Sequence, residues 1–231
     1  MQPHLIVRSP VFVVVLLSAV LGATAASAQS AWTSNVSVFG GGGTFPTFNA
    51  NLVDTAAAAN LDVRDRKIKS APIVGGSVGV WHGLGRSRVR LGVRGELSFE
   101  PTEADSQLNP ATGTFFGQPY NGVVPVPKID GSTTLLAGAL LFGWDHGRVM
   151  PYGGASAGLV HTIAKDPANT DTDTAPSWSG IAGMTVRLGR RISAYGEYRY
   201  TVVEPTIVLG TQTVIFRVKP SQVVSGVSVA F

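Results

Sequence analysis

Two short runs in this sequence set opposite charges two residues apart, Arg94-Gly95-Glu96 and Glu197-Tyr198-Arg199. That spacing keeps both members of a run on one face of a strand. If the two carrying strands run the same way through an interior, Arg94 stands level with Glu197 and Glu96 level with Arg199. Arg90 and Arg187 fall nearer the end of the short turns. The chemistry on offer is a cross-lumen ion-pair network over Arg90, Arg94, Glu96, Arg187, Glu197 and Arg199. Charges in a filled interior are tolerated when they hydrogen-bond one another, and such a network usually holds a wall together. The functional alternative is a narrow ion path or gate.

Residues for catalysis are sparse. Beyond the amino-terminal leader the histidines are His82, His146 and His161, and a hydrolase would need a nucleophile with a His held by a carboxylate. His161-Thr162 with Asp166 nearby is the arrangement worth noting, and it reads as an incidental rim histidine. Asp171-Thr172-Asp173 lacks the glycine and distal glutamate of a calcium loop. The four glycines at 40–43 lack the lysine and helix of a phosphate loop and read as a bulge or close packing. No catalytic residue, metal or cofactor is expected.

The elements that must position the charges are strands. Arg88 to Phe99 puts Val89, Leu91, Val93, Leu97 and Phe99 on one face and Arg90, Gly92, Arg94, Glu96 and Ser98 on the other. From Val89 to Phe99, at ~3.3 Å per residue and ~40° of tilt, it rises about 25 Å, the apolar height of an outer membrane. Gln222 to Phe231 alternates likewise, with Val223, Ser225, Val227, Val229 and the terminal Phe231 on its oily face. Further strands are read over 35–45, 73–82, 133–144, 152–161, 177–188 and 192–203, which makes eight.

Composition supports the same class. Met1–Ala28 has a weakly basic start, an apolar run over 11–21 and a small-residue exit, the pattern of a cleaved signal peptide. There is no cysteine, so no disulfide framework. Charged residues make up 14% of the chain, against about 25% in soluble domains, and no later apolar run approaches the ~20 residues of a membrane helix. A closed barrel is the other architecture that satisfies every backbone group in hydrocarbon.

Connections alternate long and short, as in up-and-down outer-membrane barrels. Asn49 to Ser70 reads as a polar loop with a helical turn near 55–60, Glu100 to Gly131 as a second loop, 165–176 as a third and 204–212 as a shorter fourth. These hold Asp54, Asp62, Asp65, Glu100, Glu103, Asp105, Asp130, Asp166, Asp171, Asp173 and Glu204 against six Lys or Arg, so the outside is net acidic. The short turns carry Arg86, Arg88, Arg148, Arg190 and Arg191 with Asp145 alone. The formal charge of +4 is therefore not a nucleic-acid footprint. Trp81, Trp144, Tyr152 and Phe231 sit beside the short turns, and Phe99, Trp178, Tyr200 and Phe216 toward the loops, as two interfacial girdles.

The stretch Pro151 to Gly158, the run Glu197-Tyr198-Arg199-Tyr200 and the closing aromatic strand resemble the small eight-stranded outer-membrane barrels of the opacity-protein and OmpA transmembrane-domain type. The layout matches over the whole chain beyond the leader, while the first strand departs from the aromatic-rich opening common there. The resemblance implies assembly by the outer-membrane insertion machinery, reading Val227, Val229 and Phe231, and a role as membrane scaffold, surface antigen or adhesin. The expectation is an all-β, eight-stranded antiparallel transmembrane barrel over 29–231, monomeric, non-enzymatic and bathed in outer-membrane lipid. Its lumen would be filled, and a host or surface ligand would be met through 49–70 and 100–131. A narrow porin-like channel and a secreted lipocalin-like carrier are the alternatives.

Overall fold

The computed structural model describes residues 32–85, 87–165, 170–209 and 211–231. The leader over 1–28, Arg86 and Asp166 lie outside the described residues, and no described residue is helical. The strands are β1 (Trp32–Thr44), β2 (Phe48–Asp54), β3 (Ala59–Arg66), β4 (Ala71–Gly83), β5 (Val89–Ala104), β6 (Gln107–Phe115), β7 (Gln118–Val126), β8 (Ile129–Trp144), β9 (Val149–Lys165), β10 (Thr170–Arg187), β11 (Ile192–Val203), β12 (Thr206–Leu209), β13 (Gln212–Phe216) and β14 (Ser221–Ala230).

Eight of them close a barrel in the order β1-β14-β11-β10-β9-β8-β5-β4, each antiparallel to its neighbours. Closure is made by β1 on β14, from Asn35 opposite Ala230 to Thr44 opposite Ser221. All eight strands read from the sequence are present. A closed barrel leaves no unpaired edge, so backbone groups are bonded round the circumference.

The period of two then sorts side chains between two solvents. On β5, Leu91, Val93 and Phe99 are exposed outward while Arg94, Glu96 and Ser98 are buried inward. On β14, Val223, Val227 and Val229 face out, and Gln222, Val224 and Ser228 face in. Val38, Leu136, Leu140, Phe142 and Leu159 continue the outer apolar surface. In water such a surface would be costly; in hydrocarbon it is matched.

The connections read as polar loops are largely strand. β2–β3, β6–β7 and β12–β13 are three hairpins, and they zip together into a six-stranded sheet, β12-β13-β2-β3-β6-β7. The 55–60 segment is the β2–β3 turn, with Ala58 at φ 43°, and no helical turn forms. Within the third segment read as a loop, Lys165 ends β9 and 170–176 belong to β10, with Thr170 opposite Lys165. The physical reason is that each stretch alternates small apolar residues with polar ones, as in Ala59-Asn60-Leu61-Asp62-Val63, and so buries one face.

That face lies over the barrel mouth. Phe48, Ala50 and Val214 pack together, Phe216 packs against the cluster of Val160, Ala175, Val203 and Val218, and Ile207 packs on Ala164 of β9. Phe216 is therefore an interior residue, packed with its ring centroid 5.5 Å from that of Phe48, and not a girdle aromatic. Sheet edges are protected. The edge strand β7 carries Pro119 and Pro125, and at β12 the amides of Thr206 and Val208 donate to Asp173 at 2.7 Å and to Asp171 at 2.6 Å.

Candidate functional site

β5 and β11 are four strands apart in either direction round the barrel, so their inward side chains meet across the full lumen. Arg94 donates to Glu197 from both terminal nitrogens, at 2.6 and 2.9 Å. Arg199 donates from Nε to Glu197 and from Nη1 to Glu96. Arg94 also lies 3.6 Å from Glu96, and Tyr152 of β9 donates its hydroxyl to Glu197 at 2.8 Å. Two cations and two anions thus form one neutral cluster, with the Glu197 side chain wholly excluded from solvent. Bidentate pairing of this kind is the strong form of a charged hydrogen bond.

Apolar residues seal the cluster. Phe39 lies beneath Arg199, its ring centroid 4.8 Å from the guanidinium, and packs with Ile73, Tyr195 and Val224. On the other side Ala139, Leu141, Tyr152 and Ile181 make a second layer, with Trp81 against it. An interior of eight strands is just wide enough to be filled by side chains. Between the pairs and the β8–β10 wall the free space is about 10 Å³.

Arg90 and Arg187 do not join this network. Both reach Asp145, at 2.7 and 2.6 Å, at the short-turn end. Asp145 also accepts the Gly147 amide at 2.8 Å, and Arg187 donates to the Gly147 carbonyl at 2.6 Å. Burial alone would raise the Asp145 carboxyl; the Arg187 hydrogen bond, the Gly147 amide and the two guanidinium charges outweigh it and hold the group below the usual carboxylate range. The single network expected from the sequence is therefore two clusters, a mid-lumen plug and a turn-end clamp.

Two of the aromatics assigned to the girdles are lumen residues. Trp81 shares the face of Ile73 and Ser77, and Tyr152 is buried. Their rings meet edge to face, centroids 5.9 Å apart. Position at a strand end suggested an interface, and strand parity overrides it. Room for Trp81 comes from Gly92 and Gly143, where an added Cβ would lie 2.8 and 3.2 Å from the indole. Phe99, Trp144, Trp178, Tyr200 and Phe231 are exposed on the outer face.

Tyr152 is the member of the charged cluster that sequence spacing did not supply; its inward parity with Ser156 was the available signal. Glu100, counted among the loop acids, is also inward, and Gln222 donates to it at 2.9 Å. His161 faces outward and bonds Thr174 at 2.9 Å. His146 stacks beside Trp144, and His82 beside Trp32. The carboxylates of the Asp171-Thr172-Asp173 run bond backbone amides of β12.

An antiparallel barrel with an oily outside and a charge-paired, filled inside defines the class of small transmembrane barrels of the outer membrane. Residues 14–231 match the outer membrane protein beta-barrel domain family, and the chain belongs to it. OprG from Pseudomonas aeruginosa is similar in structure, with 13% identity, a TM-score of 0.54 and coverage of 86% of this chain and 96% of that one. Neisserial surface protein A (NspA) is 12% identical over 87% of this chain and 98% of its own, with a TM-score of 0.46. Ail, the attachment invasion locus protein of Yersinia pestis, is 14% identical over 86% and 99%, with a TM-score of 0.42. No curated protein matches the sequence. The chain is an outer-membrane protein.

Proposed function

We propose that this barrel is a closed, non-enzymatic membrane scaffold whose product is its outer sheet, displayed as an adhesive or antigenic surface. The observation that carries the reading is the fusion of three connections into one ordered sheet. Loops left free would cost ordering entropy on meeting a partner, whereas a sheet held by its own ladder is preorganised. Monomeric insertion in outer-membrane lipid by the insertion machinery, with Val227, Val229 and Phe231 on the recognised strand, belongs to the same reading, as does the two-cluster lumen as wall support.

The β6–β7 tip supports a contact role. Phe116 and Gly117 occupy the turn at φ 49° and 72°, a geometry for which Asn-Gly is the favoured pair. A bulky aromatic there is a conformational outlier of the kind that collects at functional sites. Phe116 is 66% exposed, and Phe115 and Tyr120 flank it. Phe116→Asn should relieve the turn and remove the contact. We expect the variant to be at least as heat-resistant on unboiled gels as the parent while cells displaying it lose adhesion to host cells or matrix. Retained adhesion in Phe116→Asn, and in a chain lacking residues 107–126 that still migrates as a folded barrel, would refute the display reading.

A porin-like reading rests on the cavity of about 110 Å³ beneath the plug, lined by Thr33, Asn35, Arg90, Arg94 and Arg187. A channel would need the Arg94–Glu197 pair to part.

A further inference from the structure

Above the plug, between the barrel mouth and the sheet, lies a cavity of about 130 Å³. Phe45, Leu135, Val160, Ile207, Phe216 and Val218 give it an apolar wall. Two buried charged groups enter it from opposite partners, Glu100 from the barrel and Arg66 from the sheet, 6% and 5% exposed; Glu103, which also lines it, is more exposed and is paired with Lys69 and Lys128. Glu100 takes the Gln222 amide on one oxygen and leaves Oε1 without a donor. Arg66 has no carboxylate within 4 Å among the described residues, and its Nε has no acceptor. Its neighbour is the face of Phe48, with the ring centroid 6.0 Å away.

The backbone is deformed to bring Arg66 there. Ala59, Leu61 and Val63 point inward, so strict alternation would send Arg66 to the surface. Instead the β2–β3 register slips between Phe48 and Ala50, two residues bulge, and Asp65 takes φ 56°. One extra residue reverses the parity and turns the guanidinium inward. The bulge is itself held: Asn109 donates to the Arg64 carbonyl at 2.9 Å, and Gln107 exchanges bonds with the Lys67 backbone at 3.1 and 2.7 Å. A left-handed Asp and a desolvated cation are both unfavourable, and among the described residues no carboxylate pairs with the cation.

We propose that this cavity binds a small organic monocarboxylate, its carboxylate on Arg66 and its apolar body among the aliphatic and aromatic walls. A buried guanidinium without a partner selects an anion, and its fork fits a carboxylate. A cavity of about 150 Å³ holds a benzene-sized body, which sets the scale at one six-membered ring or a short alkyl chain. Glu100, held by Gln222 on the barrel wall, opposes a second anionic group and limits the occupant to one.

Benzoate titrated calorimetrically into the full barrel in lipid nanodiscs tests this, with benzyl alcohol as the uncharged partner of equal shape. The expected result is one saturable benzoate site per barrel and benzyl alcohol weaker by about tenfold or more. Arg66→Gln should weaken benzoate to the same degree. Val218→Phe, which fills the cavity and leaves Arg66 in place, should abolish binding while unboiled gel migration is unchanged. Failure of benzoate to saturate, equal affinity for benzyl alcohol, or unchanged binding in the two variants would overturn the proposal; if Arg66→Gln does not fold, the benzoate and benzyl alcohol comparison on the parent chain decides.

Discussion

Replacing Glu197 by Gln removes the acceptor on which three side chains converge. Arg94 gives it two bonds at 2.6 and 2.9 Å, Tyr152 one at 2.8 Å, and Arg199 a fourth through Nε. A carboxylate has about four lone-pair sites, so Glu197 is saturated. A glutamine offers one oxygen and points an amide NH2 at donors. The cluster also passes from two cations and two anions to two cations and one anion, buried. Removing one member of a buried pair costs about 3–5 kcal/mol, and the surviving oxygen puts the expected loss near 3 kcal/mol. Arg94→Met with Glu197→Met removes one charge of each sign and leaves Arg199 on Glu96. That double variant should lie within about 1 kcal/mol of the parent, giving a coupling of about 2 kcal/mol or more in the cycle closed by the Arg94→Met and Glu197→Met singles. The assay is reversible urea unfolding in lipid vesicles, followed by tryptophan fluorescence and by unboiled gel migration. A loss under about 1 kcal/mol for Glu197→Gln, or a double variant less stable than either single, would refute the neutral-plug argument.

Three further outcomes follow from the same geometry. Asp145 is held below its ordinary pKa by Arg187, Gly147 and Arg90, so its contribution is fully present above the unfolded value of about 3.9 and is lost as pH falls further; the melting-temperature gap between parent and Asp145→Asn should be flat at neutral pH and close below about pH 4. Gly92→Val would place a Cβ 2.8 Å from the Trp81 ring; we expect a loss of about 1–3 kcal/mol and a changed near-ultraviolet tryptophan signal, and an unaltered signal would place Trp81 elsewhere. In planar bilayers the parent should give no resolvable conductance steps, since the plug leaves about 10 Å³ beside it; steps that vanish in no lumen variant would also exclude the lumen as their path.

The barrel was legible because two solvents impose period two on every spanning strand. Ile192–Val203 was read to the residue, and β5 was extended only at its outer end, where Glu100 to Ala104 continue the ladder outside hydrocarbon. For Trp81 and Tyr152, position at a strand end points to an interface while parity points inward; the glycines that receive Trp81 lie on β5 and β8, and complementarity between strands leaves no local trace. The outer strands went unread for a different reason. Their buried residues are mostly small, their polar residues resemble a loop, and Pro110, Pro119 and Pro125 read as breaks. Pro110 lies one residue past the end of the β3–β6 pairing, Val63 opposite Ala111, and stays in register with Val123 of β7.

The two parts of the molecule treat buried charge in opposite ways, and the difference bears on function. In the spanning barrel parity is fixed by lipid, and each buried charge of the plug is met: Arg94 and Arg199 sit on Glu96 and Glu197 within one closed set. In the outer sheet lipid no longer dictates parity, and the chain uses that freedom at Asp65 to turn one guanidinium inward with no acid paired to it among the described residues. Polar surface was available two residues away, where Arg64 reaches Thr112 at 2.9 Å. Packing alone would favour an apolar residue at position 66, since a hydrophobic replacement of a buried charge is commonly neutral or stabilising. Arg66→Leu therefore separates the two accounts: a more stable barrel that no longer takes up benzoate assigns the arginine to binding, and a less stable one that still takes it up assigns it to the fold.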